Sequence, residues 1–249
     1  MIVDESTAEI LYKKNPEAVL PIAPITKLMT AFVVLEAKQN LDEILTVTKE
    51  DVDYLKQTSS RLPIGAQLTR SKMLHIALMS SENRAASALG RHYPGGLDAF
   101  VNAMNAHAAL LAMTDTHFVE PTSLSSKNVS SAQELANLVS AAQAHPLIRR
   151  YSTHGEYAVD VGGPVQQYRN SNRLIRGSDW DIMLQKTGYI SEAGRCLVMK
   201  VLVDGCPVIM VFLDSKGKLS RSTDANRVRH WLETVKLPTL TQTLVNVQG

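Results

Sequence analysis

Residues 21–30 read PIAPITKLMT, and the rest of the chain is organised around the helix that this stretch begins. After the prolines, apolar residues recur at the i, i+3, i+4, i+7 spacing that marks the buried face of a helix. They are Ile25, Leu28, Met29, Phe32 and Leu35. The spacing predicts a helix from about Pro24 to Lys38.

Lys27 lies beside this apolar face rather than on it. Its neighbours one and two turns further along, Ala31 and Val34, are also apolar, so the helix is expected to lie deep in the fold. A lysine in this place either extends its side chain to solvent at the helix entry or is a half-buried amine with a lowered pKa. Both interpretations remain open from this stretch alone.

The composition is that of an ordinary globular protein, with 45% hydrophobic and 20% charged residues in a chain of 249. The net charge of +2 is too small to favour a nucleic-acid partner. No apolar run has the length of a membrane span, and acidic residues close to Met1 predict that no signal peptide is present. Residues 237–249 lack a basic amphipathic pattern, so no membrane anchor is expected in the chain.

The two cysteines, Cys196 and Cys206, flank an Asp204-Gly205 dipeptide that favours a two-residue hairpin turn. If Val203 faces Cys206 across that turn, Cys196 lies near the far end of the same strand pair. The distance between the two sulfur atoms then exceeds the reach of a disulfide. We therefore expect two free thiols.

Helix-like and strand-like segments follow one another in an order that predicts a single sheet built from both ends of the chain. The predicted helices cover 24–38, 69–79, a segment through 85–89, 98–111, a segment starting at Ser131, and 222–235, and the predicted strands cover 8–12, 182–188, 195–203 and 207–214. Thr69 is the expected N-cap of the second helix, and Ser131 and Glu134 form a capping-box pattern. The fold class is α/β of the α+β kind, with a mostly antiparallel sheet flanked by helices and a helical middle. One domain is expected over 1–236, with a tail at 237–249.

Three short motifs carry the chemistry, and they occur in a fixed order along the chain. The first is Lys27 near the start of the early helix, the second is Ser81-Glu82-Asn83 at a break between helices, and the third is Lys186-Thr187-Gly188 on a late strand. Each motif alone arises often by chance. Their combination on helix, interhelical turn and strand is specific.

Together the motifs resemble the S-x-x-K, S-x-N and K-T-G signature of the penicillin-recognising serine hydrolases, over residues 2 to about 236. Longer segments such as LMSSENRAA, HYPGG, FVEPT and KTGY are similar to those of low-molecular-mass penicillin-binding proteins of Gram-negative bacteria, above all the D-alanyl-D-alanine endopeptidases. The resemblance implies a β-lactamase/transpeptidase-like fold, peptidoglycan peptides as substrates and a periplasmic location. It also implies binding of β-lactams if residue 24 is serine, without a metal or another cofactor.

The resemblance assigns the catalytic roles to the first two motifs. A serine three residues before Lys27 would lie on the same helix face, so a lysine of lowered pKa could take its hydroxyl proton. Ser81 would pass a proton between that lysine and the leaving amine. Asn83 would hold the substrate backbone or assist the lysine.

The third motif is implied to hold the substrate. The Lys186 ammonium and the Thr187 hydroxyl would bind the substrate's carboxylate, and Gly188 would let the substrate strand lie close to the sheet edge. The backbone amide of Tyr189 would be one of two donors to the oxyanion, the other being the amide of the nucleophile.

Position 24, where the family has its serine, is proline. Pro24 removes the nucleophile and, because proline has no amide hydrogen, one oxyanion donor as well. Acyl-enzyme chemistry by the family mechanism should therefore be absent. Three explanations stay open: a natural pseudoenzyme, a substitution in an otherwise active enzyme, or a record that misstates a chemically modified serine.

Three further positions carry a side chain where relatives commonly have glycine. They are Ala8, Ala112 and Ser123. If these positions need a positive φ, each replacement costs about 1 kcal/mol of stability.

Three other functions were weighed against the endopeptidase. A class A β-lactamase needs a glutamate that activates water, and Glu120 sits in EPTSL rather than in the lactamase pattern E-x-x-L-N. A non-enzymatic peptidoglycan-binding protein would retain Asn83, Lys186 and Thr187 for recognition. A metallopeptidase is not supported, because the histidines lack the spacing of a ligand pair such as H-E-x-x-H.

Overall fold

The computed structural model describes residues 1–177, 179–217 and 219–236, and its centre is a five-stranded antiparallel sheet. The strands of the chain are β1 (Ile2–Asp4), β2 (Ile10–Tyr12), β3 (Leu20–Pro21), β4 (Ile44–Thr46), β5 (Gln67–Thr69), β6 (Val129–Ser130), β7 (Glu156–Val159), β8 (Gln166–Arg169), β9 (Asp181–Ile190), β10 (Gly194–Val203) and β11 (Cys206–Ser215). The order in the main sheet is β2-β1-β11-β10-β9. The predicted sheet from both ends of the chain is therefore confirmed.

Seven helices are described, and most of them lie between β2 and β9. They are α1 (Thr26–Glu36), α2 (Arg70–Met79), α3 (Asn83–Arg91), α4 (Gly96–Leu110), α5 (Ala132–Ala142), α6 (Pro146–Thr153) and α7 (Ser220–Trp231). A π-helical turn, Leu232–Lys236, follows α7. The helical middle and the α+β class agree with the prediction. The predicted tail 237–249 lies outside the described residues, and the domain boundary at residue 236 stays a prediction.

The main sheet separates two hydrophobic clusters, because successive side chains of a strand point to opposite faces. On β10, Cys196 and Val198 belong to the larger cluster, which also contains α1, α2 and α5. Leu197 and Met199 belong to the smaller one, which is covered by α7 through Ala225. Both faces of β10 are buried, which explains its nearly continuous apolar sequence.

Helix α1 is buried along its first nine residues, from Thr26 to Val34. It begins two residues later than predicted, so Pro24 precedes the helix and removes no hydrogen bond within it. Lys27 is fully buried. The interpretation of Lys27 as a buried amine therefore holds, and the solvent-reaching alternative is wrong.

Both predicted helix N-caps form, but the glutamate of the predicted capping box bonds elsewhere. The Thr69 hydroxyl accepts from the backbone N–H of Lys72 at 3.2 Å, as a side-chain N-cap should. The Ser131 hydroxyl likewise accepts from the N–H of Glu134 at 3.2 Å. The Glu134 carboxylate, however, accepts from the N–H of Asp115 at 2.8 Å, so it fixes the turn after α4.

The hairpin of β10 and β11 has the predicted register near its turn, with Val203 opposite Cys206. A bulge follows between Arg195 and Leu197 at the other end of the pair. Both cysteines are free thiols, as expected.

Ala8, Ala112 and Ser123 all have a positive φ, the condition under which a side chain at these positions costs stability. The angle is 58° at Ala8, 56° at Ala112 and 67° at Ser123. Each side chain is therefore held in the left-handed region, where a Cβ atom is disfavoured.

Several elements were missing from the prediction. Strand β1 was not predicted, because it has only three residues. The pair β7–β8 was not predicted either, because most of its residues are polar and no regular alternation of apolar residues marks it as a strand. Helix α6, which begins at Pro146, was also missed. No helix within the described ranges is both long enough and apolar enough to cross a membrane.

Candidate active site

A cleft of about 240 Å³ lies where the three predicted motifs meet, and we refer to it as the central cleft. Its walls are the residues before α1, the break between α2 and α3, the segment 122–124 and the outer strand β9. Six of the predicted site residues line it: Pro24, Ser81, Asn83, Thr187, Gly188 and Tyr189. The remaining two, Lys27 and Lys186, are fully buried.

Lys27 is held by two oxygen acceptors from different parts of the chain. Its Nζ donates to Asn83 Oδ1 at 2.7 Å and to the carbonyl oxygen of Thr122 at 2.5 Å. Burial lowers the pKa of Lys27 to about 8, although the charges of nearby acidic residues raise it. These residues are Glu120, Glu82 and Asp53. The neutral fraction of the amine, which can accept a proton, is therefore much larger near neutral pH than for an ordinary lysine, although the protonated form still predominates.

Ser81 and Asn83 take their positions from the break between α2 and α3. Glu82 caps α3 by accepting from the N–H of Arg84 at 3.2 Å, and Ser81 has a positive φ of 61°. The Asn83 side chain is anchored at both ends, because its Nδ2 also donates to Thr58 Oγ1 at 2.9 Å. The Ser81 hydroxyl oxygen is buried and has no partner among the described residues.

The β9 wall presents Thr187 to the cleft and keeps Lys186 beneath it. Lys186 Nζ donates to the carbonyl oxygen of Thr187 at 2.7 Å. Burial holds the pKa of Lys186 well below its usual range, and the charges of Lys27 and Arg221 lower it further. The Thr187 hydroxyl lies 2.7 Å from the hydroxyl of Ser171 on the neighbouring loop.

Gly188 lies directly against the residues that precede α1. A Cβ atom at this position would collide with the Pro24 ring and with the carbonyl oxygen of Ala23. The close approach of β9 to the start of α1 therefore requires glycine. The neighbouring Tyr189 is 55% exposed, and the Arg195 guanidinium lies 4.6 Å from the centre of its ring.

Of the residues that the structure describes, seven more line the central cleft without having been predicted as site residues, and three of them come from distant segments of the chain. Arg221, from α7, lines the cleft and donates to the carbonyl oxygen of Gly188 at 2.9 Å. Thr58 and Ser171 add hydroxyl groups from two loops. Each of the three lies far in sequence from any recognised motif, so tertiary contacts alone bring them to the site.

A family model described as D-alanyl-D-alanine carboxypeptidase matches residues 1–217. The chain belongs to this family. A D-alanyl-D-alanine endopeptidase of Pseudomonas aeruginosa is 47% identical over 236 residues, which cover 94% of this chain and 76% of that protein. A D-alanyl-D-alanine endopeptidase of Escherichia coli is 46% identical, with coverage of 95% and 77%.

The fold also matches that of a similar protein of known structure. The crystal structure of a Streptomyces DD-transpeptidase superposes with a TM-score of 0.83 at 27% identity, covering 92% of this chain and 94% of that one. The expected transpeptidase-like architecture is therefore confirmed. The recognition of the family from its three motifs is confirmed as well.

Glu120 has a structural task that differs from the water-activating glutamate of a β-lactamase. Its carboxylate accepts from the N–H and the hydroxyl of Thr122, both at 2.5 Å, and from Asn128 Nδ2 at 2.7 Å. These bonds fix the turn that presents the Thr122 carbonyl to Lys27. The β-lactamase alternative therefore finds no support in the geometry. Within the described residues, no group of three or more metal-ligating side chains is close enough to hold an ion.

Proposed function

We propose that the chain carries the substrate site of a peptidoglycan D,D-endopeptidase and lacks the covalent step as its sequence stands. The observation that supports this most directly is the set of hydrogen bonds that surrounds position 24. Lys27, Asn83 and Thr187 retain partners at 2.5–2.9 Å, while Pro24 offers neither hydroxyl nor amide hydrogen. The two endopeptidase relatives supply the substrate class.

The roles of the site residues follow from chemistry. With a serine at position 24, Lys27 would act as the base, and Ser81 would carry the proton on to the leaving amine. Asn83 would position Lys27 and the substrate backbone. Thr187, together with the cation of Lys186, would bind the substrate's carboxylate.

Two backbone features complete the proposed site. The amide of Tyr189 would donate to the developing oxyanion. Gly188 keeps that amide close to position 24, because no side chain separates β9 from the start of α1. We place the proposed site in a single domain over residues 1–236. We also place the protein in the periplasm, as the family resemblance implies.

A second candidate function is a peptidoglycan-binding protein without turnover, and Pro24 is the observation that favours it. Such a protein would bind peptides ending in D-Ala-D-Ala and would bind a penicillin only without a covalent bond. It shares every recognition residue with the endopeptidase site, so the two are distinguished only by whether a serine restored at position 24 forms a covalent bond.

The test is an intact mass of the purified protein before and after incubation with a penicillin, with peptide mapping across residues 21–27. We expect a proline mass and no adduct. The P24S variant should gain the full mass of one penicillin, because the serine oxygen bonds to the lactam carbonyl carbon, the C–N bond of the ring breaks, and the nitrogen takes up the proton that the serine hydroxyl loses. The double variant P24S/K27M serves as the control and should gain little or none.

Two results would contradict the proposal. An adduct on the protein with proline at position 24 would mean that another residue is the nucleophile. A folded P24S variant without an adduct would mean that the remaining site is incompetent, which favours the binding-only function.

A further inference from the structure

Asn83 contacts Lys27 with only one end of its side-chain amide, so the direction in which this amide faces decides what Lys27 meets. Asn83 Oδ1 accepts from Lys27 Nζ at 2.7 Å, while Asn83 Nδ2 donates to Thr58 Oγ1 at 2.9 Å. A half-turn of the amide about its last bond exchanges the oxygen and the nitrogen and keeps the shape of the side chain. The bond at the far end, to Thr58, is therefore the one that can fix the orientation at Lys27.

The Thr58 hydroxyl can only accept from Asn83, because its single hydrogen is already in use. It donates that hydrogen to Asp53 Oδ2 at 2.6 Å. An ionised carboxylate has no hydrogen to give back, so the Thr58 oxygen is left with its lone pairs and requires the NH2 end of the amide. Lys27, Asn83, Thr58 and Asp53 therefore form a chain of hydrogen bonds in which each residue donates to the next.

Asp53 is a fixed end point for this chain of hydrogen bonds. Its carboxylate also accepts from the backbone N–H groups of Leu55 at 2.8 Å, Lys56 at 2.9 Å and Thr58 at 2.9 Å. Burial raises the pKa of Asp53, but the hydrogen bonds that it accepts outweigh this effect and hold the pKa below its usual value. Asp53 is therefore ionised at neutral pH and acts only as an acceptor.

The orientation of Asn83 decides whether the neutral form of Lys27 can take up a proton. A neutral amine has two hydrogens and one lone pair. Lys27 Nζ has two oxygen acceptors, Asn83 Oδ1 and the carbonyl oxygen of Thr122, and these use both hydrogens. The lone pair then stays free. With the amide reversed, Asn83 Nδ2 would donate to the lone pair and occupy it.

We propose that Asp53 and Thr58 are positioning residues for Lys27, because they hold the Asn83 amide in the orientation that leaves the lone pair of the lysine free. The inference rests on the proposed function only for the use of that lone pair, which is to accept the proton of a serine at position 24. Thr58 and Asp53 act through Asn83 and do not take part in the chemical step.

Charges also act on Lys27, and a test has to separate their effect from that of the amide orientation. The charged groups concerned are Glu120, Glu82 and Asp53, which raise the pKa of Lys27, and Lys186, whose own pKa the Lys27 charge lowers. The T58V variant leaves all of these charges in place and replaces the hydroxyl by a methyl group of similar size. Because the Thr58 side chain is exposed, T58V should fold.

The first measurement is the pKa of Lys27 in the protein with proline at position 24. NMR titration of protein with lysine side chains labelled by 13C and 15N measures it, and the Lys27 signal is identified by its loss in K27M. We expect T58V to lower this pKa by roughly one unit, because the released amide no longer accepts from the charged amine. T58S keeps a hydroxyl and should leave the pKa unchanged.

The T46V variant is the matched control, because Thr46 lies on β4, outside the lining of the central cleft, and loses the same hydroxyl group. It should leave the pKa of Lys27 unchanged. The positioning would be overturned by an equal pKa of Lys27 in T58V and the unmodified protein, or by the same shift in T58S as in T58V.

The second measurement is the rate at which a penicillin acylates the P24S variant, followed against pH. P24S/T58V should react roughly tenfold more slowly than P24S, and the midpoint of its rate profile should move to lower pH together with the pKa of Lys27. P24S/T58S should react as P24S does. A slower reaction with an unmoved midpoint would show that Thr58 has only a structural role, which would overturn the inference. Absence of acylation in P24S itself would contradict the endopeptidase function, while the NMR titration would still decide the positioning.

Discussion

At the scale of single residues, the site depends on two lysines that are both fully buried. The charge of Lys27 lowers the pKa of Lys186, while acidic neighbours of Lys27 partly offset the effect of its own burial. Burial of an amine is costly unless its hydrogen bonds are satisfied. Each lysine donates to a carbonyl oxygen, of Thr122 and of Thr187 respectively, and these hydrogen bonds offset part of the cost of burial.

The alanines with positive φ lead to a stability prediction. Ala8 and Ala112 are both exposed, so replacement by glycine removes backbone strain without loss of packing. We expect A8G and A112G each to raise the free energy of unfolding by about 1 kcal/mol, measured by urea denaturation.

Ala109 provides the control for this prediction, because it is exposed and lies within helix α4. Glycine there should lower the free energy of unfolding by about 1 kcal/mol, since it loses helix propensity. If A8G or A112G lowered the free energy of unfolding, the prediction would be contradicted, because the alanine at that position would then cause no net backbone strain.

At the scale of secondary structure, the contact between β9 and the start of α1 positions the site. We expect G188A to lower the free energy of unfolding by about 1–3 kcal/mol, because the new Cβ atom must push β9 away from Ala23 and Pro24. Thermal denaturation followed by circular dichroism measures the change.

Gly163 is the control for G188A, since it is exposed and a Cβ atom there would meet nothing within 4 Å. G163A should leave the melting temperature close to that of the unmodified protein. Equal stability of G188A and the unmodified protein would mean that the two segments separate at little cost.

The elements differ in how far their sequences determine them. Helix α1 and strands β9–β11 were predictable. The regular spacing of apolar residues in α1 and the runs of β-branched residues in β9–β11 follow directly from the burial of these elements. Strand β1 was not predictable, since its three residues form a strand only between two partners. The site shows the same dependence on tertiary contacts. The sequence motifs identified Lys27, Ser81 and Lys186, but Arg221 could not be predicted because only the packing of α7 brings it to the cleft.

At the scale of the whole molecule, a cluster of rings joins α2, α6 and β7. His75 stacks on Tyr151 and Tyr157, with ring centres 4.4 and 4.0 Å apart, and its Nε2 lies 2.9 Å from Nδ1 of His154. Burial, together with smaller contributions from the charges of His154 and Arg150, lowers the pKa of His75 to about 4.

This cluster predicts how stability depends on pH. Between pH 6.5 and about 4 the unfolded chain binds a proton at position 75 and the folded protein does not, so acidification lowers the free energy of unfolding. In H75F, which keeps an aromatic ring in the stack, the slope of stability against pH should be shallower across this range. Urea denaturation at several pH values measures both slopes, and identical slopes would contradict the assignment.

The position of β1 between β2 and β11 has a consequence for biosynthesis. A nascent chain emerges from the ribosome with β1, β2 and all the residues of α1 long before β11 exists. Until Cys206–Ser215 has been made, one edge of β1 has no partner strand, and the β9–β10 pair has no strand that joins it to β1. The five-stranded sheet therefore cannot be completed until β11 has been synthesised, and the proposed site, whose β9 wall belongs to that sheet, forms late.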